Sequence, residues 1–166
     1  MKRFPESDDL HEQDVWLMAR RLALLYYHMA TAIIERLGEE EGKRLIEKAI
    51  LDYGNACGQR VREGVLEQGL DPVLENYGKV PDLPSKGWRS EKVVVDGAEK
   101  RATTFCPLAA TWKALGAEQL GRLYCLVDVA KYGAYSKDLE AVHAKNVLDG
   151  DPVCVIDFVK GGGTSN

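Results

Sequence analysis

The sequence predicts an α+β fold, with N-terminal helices packed on a small antiparallel sheet made of two β-hairpins and two further helices between the hairpins. Three observations predict it. Apolar residues recur at helical spacing through most of residues 12–68. Valine-rich and threonine-rich runs flank two turn signals, Asp96-Gly97 and the DGDP stretch at 149–152. Between those hairpins lies an apolar-periodic region punctuated by Pro107 and Gly116.

Taken in order, residues 1–10 are charged and read as a loose arm. The first helix runs from about Glu12 to Leu37, its apolar line formed by Val15, Leu22, Leu25, Tyr26, Met29, Ile33 and Leu37, and Gly38 stops it. His28, beside Tyr26 and Tyr27, reads as structural. A second helix spans Glu39 or Glu40 to about Gln68, with Leu45, Ile46, Ala49, Ile50, Tyr53, Cys57, Val61 and Val65 on its apolar side. Asp71-Pro72 opens a short helical segment to about Tyr77, and GKVPDLPSKG at 78–87 is a loop able to cover a site. The first hairpin occupies Trp88 to Phe105. Helices follow from Pro107 to about Leu115 and from Ala117 to about Tyr132. The second hairpin pairs Leu139–Leu148 with Val153–Lys160, a return strand apolar on both faces, and GGGTSN at 161–166 is a flexible tail. All 166 residues fit a single domain.

Composition narrows the function. A net charge of -4 without a basic stripe argues against a nucleic-acid partner. No apolar run reaches the roughly 18 residues of a spanning helix, and the first residues lack the apolar stretch of a signal peptide. A cytoplasmic protein without membrane attachment is expected. Cys57, Cys106, Cys125 and Cys154 are widely spread with no CxxC pair, so neither a disulfide framework nor a zinc site is signalled, and no cofactor is expected. The apolar width of the N-terminal helices suits a homodimer.

The region Phe105–Asp128 carries the chemistry. Pro107 favours the first position of a helix, which makes Cys106 its N-cap, facing unsatisfied backbone N–H groups. A thiol so placed tends toward the thiolate, and Cys106 is therefore the preferred nucleophile. Cys125 and Asp128, three apart, share a helix face, with Asp128 the acid–base candidate. Both cysteines also fit the role of small buried hydrophobes. On the second helix Gly54 and Gly58, beside Tyr53 and Cys57, form a small-residue groove that suits tight packing on another helix more than it suits a ligand. Arg62, or its neighbour Arg60, can grip a carboxylate. His143 and Cys154, on the strands of the second hairpin, can face the same pocket.

Four segments carry a family likeness: LDYGNACGQRVRE at 51–63, FCPLAATWKALG at 105–116, LYCLVDVAKYG at 123–133 and DGDPVCVIDF at 149–158. In this order and spacing the chain resembles the L-2-amino-thiazoline-4-carboxylic acid hydrolase family. The ending GDPVCVIDF is also similar to the closing strand of small-molecule-binding domains of the vinyl-4-reductase type. The first resemblance implies hydrolytic opening of a thiazoline ring that bears an amino group and a carboxylate, giving a carbamoyl derivative of cysteine. The expected protein is thus a hydrolase of C–N or C–S bonds in a small cyclic amidine-like carboxylate, working through Cys106, Asp128 and Cys125. Its substrate-binding residues are Tyr53, Gly54, Gly58, Arg62, His143 and Cys154. The second resemblance implies the alternative, a non-catalytic small-molecule-binding or sensor domain. No histidine stands in the four segments, which leaves a cysteine–histidine dyad dependent on His143 reaching in from the sheet.

Overall fold

The computed structural model describes residues 4–84, 86–95 and 97–160. The predicted tail, the first three residues of the predicted arm and Asp96 of the first hairpin turn lie outside the described residues. Helices α1 (Leu10–Leu37) and α2 (Glu39–Glu67) are followed by a single 3₁₀ stretch, Leu74–Lys79. Then come β1 (Arg89–Val95), β2 (Ala98–Phe105), α3 (Pro107–Leu115), α4 (Glu118–Tyr124), α5 (Leu126–Tyr135), β3 (Leu139–Lys145) and β4 (Val155–Lys160). The α+β expectation holds, with helices packed against two hairpins.

The arm is tied down over its described part. Asp9 caps α1, its carboxylate accepting from the N–H groups of His11 and Glu12 at 2.9 and 3.3 Å. Phe4 meets the rings of Trp16 and Phe105 edge-on, each 5.9 Å between centroids.

The apolar line expected for α1 is only partly the one that packs inward, through Tyr26 and Ile33. Leu22, Leu25, Met29 and Leu37 are exposed, while Trp16, Ala19, Ala23 and Ala30 enter the core. Small residues win because neighbours approach the helix backbone itself. The indole N–H of Trp112, on α3, donates to the Ala23 carbonyl at 3.1 Å, a distance that a bulky side chain on that face would prevent.

A second departure concerns the helix expected over 117–132, which divides at Cys125 into α4 and α5. The break falls where the chain changes partners. Tyr124 turns into the α1/α3 core against Tyr26 and Trp112, with centroids 5.1 and 5.2 Å away, whereas α5 lies along α2.

Each hairpin forms its own two-stranded antiparallel sheet, and β3/β4 carries a bulge between His143 and Lys145. A single bridge joins them. The Thr103 N–H donates to the Cys154 carbonyl at 2.8 Å, and the Cys154 N–H returns to Thr103 at 3.0 Å. β2 then feeds directly into α3 through Cys106.

Candidate functional site

Helix α5 brings Asp128 and Lys131 onto one face, one turn apart, because residues i and i+3 are neighbours on a helix. Their surroundings come from three other elements. The Asp128 carboxylate meets Lys131 Nζ at 3.2 Å through one oxygen and His143 Nε2, from β3, at 3.3 Å through the other. Lys131 Nζ also lies 3.0 Å from Asp82, on the loop after the 3₁₀ stretch, and the Tyr77 hydroxyl donates to that same Asp82 oxygen at 2.8 Å. A continuous chain of polar groups results: Tyr77, Asp82, Lys131, Asp128, His143. The ammonium of Lys131 and the imidazole of His143 are almost fully covered, their side chains 8% and 5% exposed.

Electrostatics follow from that burial. Loss of water pushes the Asp128 carboxyl up, but the His143 hydrogen bond and the charge of Lys131 outweigh it and hold the group below the usual aspartate value. Burial likewise works against the Lys131 ammonium, yet Asp128 and Asp82 together raise its pKa above that of a free lysine. Aromatic rings wall the cluster. Tyr132 stands 4.7 Å from Tyr77 and 4.9 Å from Phe158, and Lys131 Nζ sits 5.3 Å from the Tyr132 ring.

A family model for L-2-amino-thiazoline-4-carboxylic acid hydrolase matches residues 18–158. The chain belongs to this family. No match is found among curated proteins or among solved structures. The matched stretch of this hydrolase-family chain holds every member of the polar cluster and all four cysteines.

Three of those cysteines gather beside the cluster. Cys106 caps α3 as the sequence indicates, its sulfur 3.5 Å from the Ala109 N–H. The expected drift toward thiolate does not occur: burial outweighs the N–H groups of Ala109 and Leu108 and pushes the thiol up to about 11. Burial also takes Cys125 up to about 12 and raises Cys154, whose sulfur accepts the Val147 N–H at 3.3 Å. The Asp128 charge is felt at Cys125 and Cys154, and the Cys106 sulfur interacts with both other thiols. Among the described residues, no group of three or more His, Cys, Asp or Glu is arranged to hold a metal ion.

The remaining expectations divide. Tyr53 reaches the site's edge, 6.3 Å from the Tyr124 ring and within electrostatic reach of Asp82. Gly54 and Gly58 face α5 instead of a cavity: a Cβ on Gly54 would stand 2.6 Å from the Val127 carbonyl oxygen, and one on Gly58 would overlap that of Lys131. Their absent side chains let α5 seat against α2, which is what positions Asp128 and Lys131. Arg62 is occupied structurally, donating to the Tyr135 carbonyl at the end of α5 at 2.9 Å. Arg60 holds the Pro81 carbonyl at 2.5 Å.

Tyr77 and Asp82 were not singled out in the sequence, where they fall at the end of a short segment and in a loop, and two further residues of the site carried no signal there. Lys131 stands one turn beyond Asp128 in a matched segment, but lysines on helices are ordinarily solvated. Asn146, in the β3–β4 connection, is 1% exposed. Its Oδ1 accepts the Leu148 N–H at 2.9 Å, which fixes the amide, while Nδ2 has no partner at hydrogen-bonding geometry. The Asn146 side chain favours the ionised form of Cys125 against the burial that raises its pKa. Two surface hollows of about 520 and 310 Å³ lie elsewhere, one under the N-terminal arm around Trp16 and Arg20, the other along β1 and β2.

Proposed function

We propose that the chain is a hydrolase that opens a small heterocycle bearing an amidine-like carbon and a carboxylate, with 2-amino-thiazoline-4-carboxylate as the model substrate. The observation that carries this reading is Asp128 held between His143 and Lys131, with the Cys125 thiol at the N-cap of its helix. The reaction needs a nucleophile and a group that takes a proton and returns it. Cys125 is the nucleophile in this reading, favoured over Cys106 because it stands three residues before Asp128, which would take its proton, and because the Asn146 amide favours its ionised form against burial and the Asp128 charge. Cys106 and Cys154 shape the wall.

The steps balance as follows. The Cys125 sulfur bonds to the ring carbon between nitrogen and sulfur, and its proton passes to the Asp128–His143 pair. The ring carbon–sulfur bond breaks, and the departing sulfur takes that proton. Water, deprotonated by the same pair, then attacks the carbon and displaces Cys125, which regains its proton. The net change is addition of one water. Asn146 Nδ2 supports the charge that develops at the Cys125 sulfur, an interaction strengthened by exclusion of water.

The test is turnover of 2-amino-thiazoline-4-carboxylate followed by mass spectrometry. Asp128→Asn and Cys125→Ala each lower kcat by about 100-fold or more, and Cys106→Ala stays within about tenfold of the parent. Full turnover by both Asp128→Asn and Cys125→Ala refutes the assignment. Saturable binding with unchanged ligand mass in the parent protein refutes the hydrolase reading in favour of a binding module.

A further inference from the structure

One ammonium here serves two carboxylates. Lys131 Nζ lies within 3.2 Å of Asp82 and Asp128 together, in a site whose lysine side chain is 8% exposed. With both carboxylates ionised and no further cation, the trio carries an excess negative charge, so an anionic substrate entering beside them meets repulsion unless one carboxylate leaves. The two are anchored differently. Asp128 belongs to α5, is fixed one turn from Lys131 and is engaged on its second oxygen by His143. Asp82 stands on an irregular segment between Val80 and Pro84, flanked by exposed Pro81, whose carbonyl Arg60 holds, and by exposed Leu83, and only its own side chain reaches Lys131.

From this asymmetry we propose that Lys131 is the carboxylate-binding residue of the site, and that Asp82 is an internal placeholder which a substrate carboxylate displaces. The inference rests on the hydrolase reading for the identity of the substrate and extends it to the recognition of the substrate's acid group. Exchange of one carboxylate for another preserves the charge balance around Lys131 and leaves Asp128 free to act with His143. The Tyr77 hydroxyl, now donating to Asp82, is set to donate to the incoming carboxylate. An ammonium with two anionic neighbours is a better exchange point than Arg60 or Arg62, since both of those hold backbone carbonyls that have no substitute.

The placeholder lowers affinity by the fraction of time it occupies the cation, so its removal raises affinity for a carboxylate. The experiment compares the parent protein with Asp82→Asn, which keeps the shape and the acceptor for Tyr77 while removing the charge. Binding of 2-amino-thiazoline-4-carboxylate and of 2-amino-thiazoline, which lacks the acid group, is measured by calorimetry alongside KM and kcat. The expected result is roughly tenfold tighter binding and lower KM for the carboxylate in Asp82→Asn, with unchanged binding of the neutral analogue. The double variant Lys131→Met/Asp82→Asn, which leaves no unpaired Asp82 charge behind, loses the preference for the carboxylate. Unchanged or weaker carboxylate binding by Asp82→Asn overturns the placeholder, even if the parent turns substrate over. Absence of turnover with carboxylate-selective tightening in Asp82→Asn overturns the hydrolase reading and leaves the subsite standing.

Discussion

Replacing Gly58 by alanine tests the contact on which the site's geometry depends. An alanine in mid-helix is ordinarily favourable by about 1 kcal/mol over glycine, so on propensity alone α2 would gain stability. The surroundings reverse the sign. The added methyl would overlap the Lys131 carbonyl oxygen and stand 2.9 Å from the carbonyl carbon and 3.0 Å from Ala134 Cβ. The obstacle is backbone, so no rotamer change relieves it, and α5 must retreat from α2 by about an ångström or more along a buried seam that includes Val61 and Ala130. Overpacking of this kind costs about 1–3 kcal/mol and more where the backbone must move, leaving a net loss of about 2 kcal/mol after the helix gain. For a chain of this size that is a fall in Tm of roughly 4–8 °C. Thermal unfolding followed by circular dichroism, with urea denaturation for the free energy, makes the measurement. A Tm equal to or above that of the parent refutes the argument that α5 is seated by the missing side chain.

Two further predictions concern the titratable groups. Cys106 and Cys125, with thiols pushed up to about 11 and about 12 by burial, alkylate with iodoacetamide at pH 7 at least roughly tenfold more slowly in the native protein than in urea; mass mapping of the labelled peptides would show comparable rates if burial does not control them. Asp128 is held below its ordinary value in the fold, so its pairing contributes stability that is complete above the unfolded-state pKa of about 4 and drains away as pH falls through the lower folded value. Urea midpoints taken from pH 7 to pH 3 therefore drop more steeply for the parent than for Asp128→Asn below about pH 4, and parallel curves would contradict that role.

The sequence announces helices by rhythm and hairpins by their turns, and these signals are local. Pro107 after Cys106 reveals the cap because capping is decided within one turn of chain. The inward face of α1 was not legible, since two apolar stripes share that helix and only the arrival of Trp112 at the Ala23 carbonyl selects the alanine stripe. Asp128 and Cys125 were visible as neighbours on a helix, whereas the pairing of Asp128 with His143 depends on how β3 docks against α5. The raised pKa of Cys106 is illegible in the sequence for a related reason. A helix N-terminus is written in the sequence, but the depth at which that N-terminus is buried is a property of the whole fold. Asn146 could not have been singled out at all: an asparagine before a turn is ordinarily a solvated turn-former, and only the enclosed Nδ2 marks this one.

The bridge between Thr103 and Cys154 has a consequence for the order in which the molecule assembles. Each hairpin closes a short segment of chain and forms early, as does the single turn that caps α3. The bridge instead unites residues about fifty positions apart, with a loop-closure entropy that only the packing of the intervening helices offsets. Cys106 leaves the first hairpin and Cys154 leads into the last strand, so the sulfur wall exists only after that late step. The expected outcome is that refolding followed by protection of the Cys106 and Cys154 thiols lags refolding followed by helix content.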